Sequence, residues 1–307
     1  MSRRLPALAI LLATGVASLL TGAENLNSTK PEVTTPPGPW TSTGRVGAFL
    51  NNTSSANSTE SRDASVASAQ GSTSALTTID AKVVWSVGLD AVEQNLKGRY
   101  GRSRTLQEGW SENEDELRYD GVYRRTIRPP HFVYLSWGSE TGFSGFYVDE
   151  PARPPDNPRN PGDPLKAHLG GGYGERFVDL VPEDSLEWRL GARVEKNWGT
   201  RVRPEERGFI TGAEVFVRYE GTPNAYHQDL RYFAQYEGFS RFNDLGHISN
   251  LITAGLTFQL AKHLNLDLAL RAYYETRPWD DREEGFLAGY NQWSVKQDTL
   301  IGIVYGW

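Results

Sequence analysis

The sequence predicts an all-β chain, a transmembrane antiparallel up-and-down β-barrel of about twelve strands over residues 44–307. Three observations predict it. The candidate strands are long, most of about 12 to 15 residues, where strands of globular proteins usually have 5 or 6 and a tilted membrane strand needs about 9 to 11. Apolar and charged residues alternate with period 2. In "HLNLDLALRAYY", Leu264, Leu266, Leu268 and Leu270 share one face and Asp267 and Arg271 the other. Long and short connections also alternate along the chain, as in barrels whose short turns face the periplasm and whose long loops face outside.

The bulk numbers fit. Hydrophobic residues make up 38% of the chain and mean hydropathy is −0.52. A bundle of membrane helices, each needing about 20 apolar residues, is excluded. A barrel is not, because only alternate residues need be apolar. A net charge of −6 offers no basic surface for nucleic acid. With no cysteine in the chain, disulfides, thiol catalysis, Cys-ligated metals and a lipoprotein anchor are excluded.

From the N-terminus, "MSRRLPALAILLATGVASLLTGA" carries Arg3 and Arg4, an apolar run and small residues ending at Ala23. This is a secretory signal pattern, with cleavage expected after Ala23. Residues 24–43, with "KPEVTTPPGPW" inside, are expected to be a disordered or extended linker. Strands are then expected at 44–50, 75–86, 91–104, 115–127, 131–142, 167–180, 185–197, 209–220, 227–239, 248–260, 264–277 and 292–307. Short connections are expected near Gly88–Asp90 and at "RPP", "VPED", "TPNA" and "AKH". Long ones are expected at "NNTSSANSTESRDASVASAQGSTS", "LQEGWSEN", "SGFYVDEPARPPDNPRNPGDP", "GTRVRPEER", "SRFNDLGH" and "WDDREEGFLAGY". Six prolines between Gly145 and Pro164 cannot donate to a ladder, so an irregular outside loop is expected there.

Aromatic placement separates a membrane barrel from a soluble sandwich. Trp188 and Trp198 lie on one face ten residues apart, which at about 3.3 Å per residue and a tilt near 40° is about 25 Å of height. That matches the apolar band between aromatic girdles. Trp293 and Tyr305 bracket the last strand in the same way.

The chain ends "LIGIVYGW", an alternating strand closed by an aromatic residue with Gly302 five places before it. This end resembles that of bacterial outer-membrane barrels, although Leu300 stands where those carry a polar residue and Trp307 where Phe is commoner. The segments "HISNLITAGLTFQLAKHLNLDLALRAYYETRP" and "KQDTLIGIVYGW" resemble the salt-induced outer-membrane protein family, whose function is unknown. "NNTSSANST", Tyr274, Pro278, Asp298 and Gly302 fit that family's pattern, and "ELRYDGVYRRTIRPPHFVYLSWGSE" looks like its central hairpin. The proline-rich insertion near Pro151–Pro164 departs from it. The resemblance implies a barrel in the outer membrane, with membrane lipid and the barrel-assembly machinery as partners. The resemblance of the C-terminal end to outer-membrane barrels implies an assembly signal at Gly302, Tyr305 and Trp307.

No strong catalytic motif appears, and no cofactor or metal is expected. The histidines His131, His168, His227, His247 and His263 lack metal-ligand spacing. Beside turns, a solvated histidine is the expected role. "GGGYGE" at Gly170–Glu175 lacks the Lys-Ser/Thr of a P-loop. "DDREE" lacks the spacing of a calcium loop. The polar faces are more informative. Glu187, Arg189, Arg193, Glu195, Glu214, Arg218, Asp229, Arg231, Asp267 and Arg271, with Lys296 and Asp298, are expected to converge on one lumen. With both signs present, they form either an ion-paired plug or a narrow polar pore. The expected function is therefore a non-catalytic outer-membrane barrel, structural or pore-forming. The alternatives are a lipid hydrolase on the same scaffold and a soluble periplasmic β-sandwich.

Overall fold

In the computed structural model, twelve strands close into one antiparallel barrel in which each strand pairs with its sequence neighbours and β1 pairs with β12. The structure describes residues 38–57, 72–105, 109–142, 165–178, 184–198, 208–221, 230–276 and 291–306. The strands are β1 Trp40–Ala56, β2 Ser72–Val87, β3 Asp90–Thr105, β4 Gly109–Arg128, β5 His131–Thr141 and β6 Leu165–Val178. They continue as β7 Ser185–Trp198, β8 Phe209–Gly221, β9 Leu230–Arg241, β10 Ile248–Ala261, β11 Leu264–Glu275 and β12 Trp293–Gly306. A closed barrel leaves no unpaired edge, which is what the absence of water in a bilayer demands of a spanning sheet.

The expected signal segment and most of the expected linker lie outside the described residues. β1 starts at Trp40, so Trp40–Thr43, expected in the linker, belong to the barrel. Trp40 pairs with Trp85 and their rings lie 6.4 Å apart. The strand begins directly after the proline run ends at Pro39, where each residue again has an N–H to donate. A second correction concerns "LQEGWSEN". It was expected to be a long connection, but Arg104 pairs with Trp110 and Thr105 with Gly109, so most of it is ladder. Residues 227–229, expected to open β9, lie outside the described residues. The tight β2–β3 reversal places Gly88 at φ 61°, a left-handed conformation that favours glycine. The proline-rich segment lies outside the described residues.

The outer face is apolar. Leu50, Leu190, Leu256, Leu270, Ile301 and Ile303 are all exposed on it. In a monomer in water this much contiguous apolar surface would be anomalous; around a closed barrel it is a lipid-facing band. Aromatic side chains flank the band on the same face. At the end carrying both termini, Trp188 donates to Glu175 at 3.1 Å, Tyr123 to Asp90 at 2.6 Å, and Tyr219 and Tyr232 to Asp184 at 2.5 and 2.8 Å. At the other end Tyr274 packs on Trp293 with ring centroids 5.3 Å apart, and Lys196 lies over the rings of Trp198 and Phe209. Each tethered ring keeps a polar tip and an apolar body, the combination that suits a headgroup boundary.

In β11 the four leucines turn outward, while Asp267 and Arg271 are on the inner face opposite Thr257 and Thr253 of β10. Leu268→Arg is therefore expected to destabilise the barrel by about 2–4 kcal/mol, the cost of a cation on the lipid face near mid-membrane. Asp267→Asn should change stability far less. Urea midpoints of the folded, heat-modifiable species check this, and equal tolerance at the two positions would refute the facing.

Candidate functional site: the charged lumen

Period-2 alternation in twelve paired strands brings every second residue to one interior, and that interior is dominated by ion pairs. Toward the terminus-bearing end Lys82 meets Glu93 at 2.9 Å, Arg124 reaches Glu93 at 3.0 Å and Glu187 at 3.1 Å, and Arg189 meets Glu187 at 3.3 Å. At mid-height Arg118 holds Asp120 of its own strand at 2.7 Å and Glu237 of β9 at 3.2 Å. β4 and β9 are five steps apart round the ring of twelve, so the Arg118–Glu237 pair crosses the lumen as a strut. Gln235 donates to the same Glu237 at 2.6 Å. Arg193 is held between Glu195 at 2.7 Å and Glu214 at 3.8 Å. Toward the other end Arg271 of β11 meets Glu116 of β4 at 3.7 Å, again five steps apart. β4 thus ties itself to β7, β9 and β11 through Arg124, Arg118 and Glu116.

Glycines make room for this network. Tyr134, Gly172, Gly191 and Glu214 form one register row across β5 to β8. With hydrogen in place of side chains at the two middle positions, the Tyr134 ring lies flat across β6 and β7 and donates to Glu214 at 2.7 Å. A Cβ at Gly191 would sit 2.4 Å from the Tyr134 hydroxyl, and one at Gly172 only 2.2 Å from the Leu190 carbonyl. Gly172 of "GGGYGE" thus leaves room for close packing within the sheet.

Some inner positions are apolar. Phe49, Leu76 and Leu300 form a buried cluster with Val304 packed against it. Leu300, the departure from the outer-membrane pattern, is accounted for by this cluster. Phe216 and Phe239 also point inward, with the Arg189 guanidinium 3.7 Å from the Phe216 centroid and that of Arg193 4.4 Å from Phe239. Cation–π contact holds guanidiniums that already have carboxylate partners.

The residues singled out in the sequence fall in distinct places. Glu187, Arg189, Arg193, Glu195, Glu214 and Arg218 line the central interior, Arg218 pairing with Glu220 at 2.6 Å. Arg231 is on the inner register but exposed near the start of β9, and Asp229 lies outside the described residues. Lys296 and Asp298, only 2% and 1% exposed, face inward but are enclosed with Asn51, Thr53 and Arg99 instead of lining open space. Gly302 and Tyr305 are in β12, and Trp307 lies outside the described residues. The sequence reading missed Glu93, Glu116, Arg118, Asp120, Arg124 and Glu237. The signal was there in "DELRYDGVYRR", where Glu116, Arg118, Asp120 and Arg124 fall at even spacings. His247 also departs from the solvated role expected beside a turn: it is buried and meets Glu275 at 2.7 Å.

Two cavities occupy the lumen. One, of about 100 Å³, lies toward the terminus-bearing end and includes Lys82, Arg124, Glu187 and Glu220 in its lining. The other, of about 60 Å³, lies toward the long connections and includes Glu140, Lys166, Ser249 and Tyr273. They share five lining residues: Arg118, Asp120, His168, Arg193 and Glu237. The cross-lumen strut therefore sits in the partition between them. Among the described residues, no group of three or more His, Asp or Glu is placed to hold a metal ion.

No family model and no curated protein matches the chain. Solved structures similar to it are bacterial outer-membrane barrels. An outer-membrane channel from Pseudomonas putida F1 is 11% identical with a TM-score of 0.44, over 91% of this chain and 100% of that one. An anion-selective porin from Comamonas acidovorans is 9% identical with a TM-score of 0.38, over 87% and 99%. The translocator domain of an autotransporter from Neisseria meningitidis is 11% identical with a TM-score of 0.37, over 97% and 95%.

Proposed function

We propose that the chain is a bacterial outer-membrane β-barrel that acts as a narrow polar pore, held shut at mid-height by the Arg118–Glu237 strut. The observation that carries this reading is the pair of charged cavities, one toward each end of the barrel, divided by five shared residues. A barrel that served only as a scaffold would gain nothing from two polar chambers meeting at a single partition. The secretory pattern ending at Ala23 supports export across the inner membrane. The short connections and both termini then lie on the periplasmic side, as is usual for such barrels. Membership of the salt-induced outer-membrane protein family, on the resemblance in β10 to β12, is part of the same proposal.

The test is conductance of the purified barrel in planar bilayers. The wild type is expected to show small, brief openings. Removing both charges together, Arg118→Ser with Glu237→Ser, leaves neither of the two buried alone, and Asp120, which loses its Arg118 partner, keeps a side chain 25% exposed. It should raise conductance several-fold and lengthen the openings. A double variant that folds, as judged by its heat-dependent gel shift, yet stays silent across the voltage range would show the partition to be a permanent plug.

A further inference from the structure

We propose that the periplasm-facing cavity is a binding site for a small anion, a carboxylate or halide, centred on the ammonium of Lys97. As a statement about what the pore passes, it rests on the pore reading above; as a binding site it does not. Eight Lys and Arg and six Asp and Glu line this cavity, an excess of two positive charges. Seven of the eight cations have a carboxylate within 4.0 Å: Arg118 has Asp120, Arg124 has Glu93, Arg218 has Glu220, and Lys82, Arg176, Arg189 and Arg193 are likewise paired. Among the described residues Lys97 has none. It points inward from β3 between the register partners Asp80 and Arg118. Its side chain is exposed although it lies deep within the wall, so the surface it shows faces the cavity.

Eight cations thus line one small chamber, and among the described residues one of them, Lys97, has no carboxylate within 4.0 Å. The Lys97 ammonium is exposed to the cavity, and an anion that enters gains an attraction that no carboxylate within 4.0 Å already meets. A chamber with an excess of one sign also concentrates the opposite ion from solution. Lys97 differs in kind from the struts. A pair such as Arg118–Glu237 holds the wall together, whereas Lys97 leaves its donors free for a guest.

Because the chain has no cysteine, Asn95→Cys, at a position that lines the same cavity two residues before Lys97 on β3, gives a single reactive thiol there while Lys97 keeps its charge. The folded variant in detergent is treated with a negatively and a positively charged methanethiosulfonate, each rate divided by the reagent's rate with a free small thiol. The anionic reagent is expected to be favoured by about tenfold, and adding Lys97→Gln should reduce that preference. Equal rates, a cationic preference or no reaction with either reagent would overturn the anion site. Separately, reversal potentials across a KCl gradient are read on the Arg118→Ser/Glu237→Ser barrel. They should show chloride preferred over potassium, with Lys97→Gln weakening the preference and Lys97→Glu inverting it. Current with no dependence on residue 97 would overturn the anion inference and leave the pore intact. A silent barrel that keeps the anionic labelling preference would overturn the pore and leave the anion site standing.

Discussion

Asp298→Ala is expected to cost the folded barrel about 3–5 kcal/mol, the penalty for removing one partner of a buried charge pair. The Asp298 carboxylate is 1% exposed and accepts from Thr53 at 2.8 Å and Asn51 at 3.2 Å, with Arg99 at 3.5 Å and Lys296 at 3.9 Å. Alanine withdraws the acceptor shared by all four. Asp298→Asn keeps a carbonyl acceptor for Thr53 and Asn51 and should lose less. The cluster also lies on the β1–β12 seam, where Thr53 is the register partner of Asp298, so the loss falls where the barrel closes. Urea midpoints in detergent or lipid measure it. An unchanged midpoint for the alanine variant would mean that the cluster adds nothing to closure.

Deleting Tyr305–Trp307 is expected to abolish assembly into the outer membrane in cells, and Trp307→Phe to be tolerated. The register shows why two mechanisms can be told apart. β1 and β12 share twelve register pairs, of which the deletion removes only Val46–Tyr305 and Arg45–Gly306. Ten remain, running from Gly47–Val304 to Ala56–Val295, so the purified truncated chain should still close when refolded into detergent. Failure in cells combined with success in the refolding tube would place the defect in recognition of the C-terminal strand, the role proposed for Gly302, Tyr305 and Trp307. Failure in both would place it in closure itself. A truncated chain that fractionates with the outer membrane and still shifts on heating would dispose of the assembly-signal reading.

Legibility differed from part to part of the molecule. The sidedness of β11 was readable because a strand turns successive side chains to opposite faces, so Leu266 and Asp267 declare their faces without knowledge of any neighbour. The twelve strands were readable for the same reason, aided by Gly88, Pro129 and similar residues that punctuate the chain. Where alternation was a poor guide, a contact across the sheet had replaced it. Phe49, Leu300, Phe216 and Phe239 are apolar on the inner face because they pack on one another or beneath guanidiniums, which no periodicity in one strand records. Gly109–Glu112 of "LQEGWSEN" read as polar loop, yet pair as ladder, because hydrogen bonding between β3 and β4 continues regardless of side-chain polarity.

Amino-acid order by itself determined that this chain has long amphipathic strands, which residues of each strand share a face, and that no thiol chemistry is open to it. Only the tertiary structure decided which inward charges meet. Arg118 and Glu237 are 119 positions apart and touch because the barrel closes and its registers set the height of each residue on the wall. Period 2 fixes a direction, inward or outward. It carries no information about height or angle round the ring, and those two coordinates decide that Arg118 finds a carboxylate across the lumen while Lys97, its register partner, finds none among the described residues.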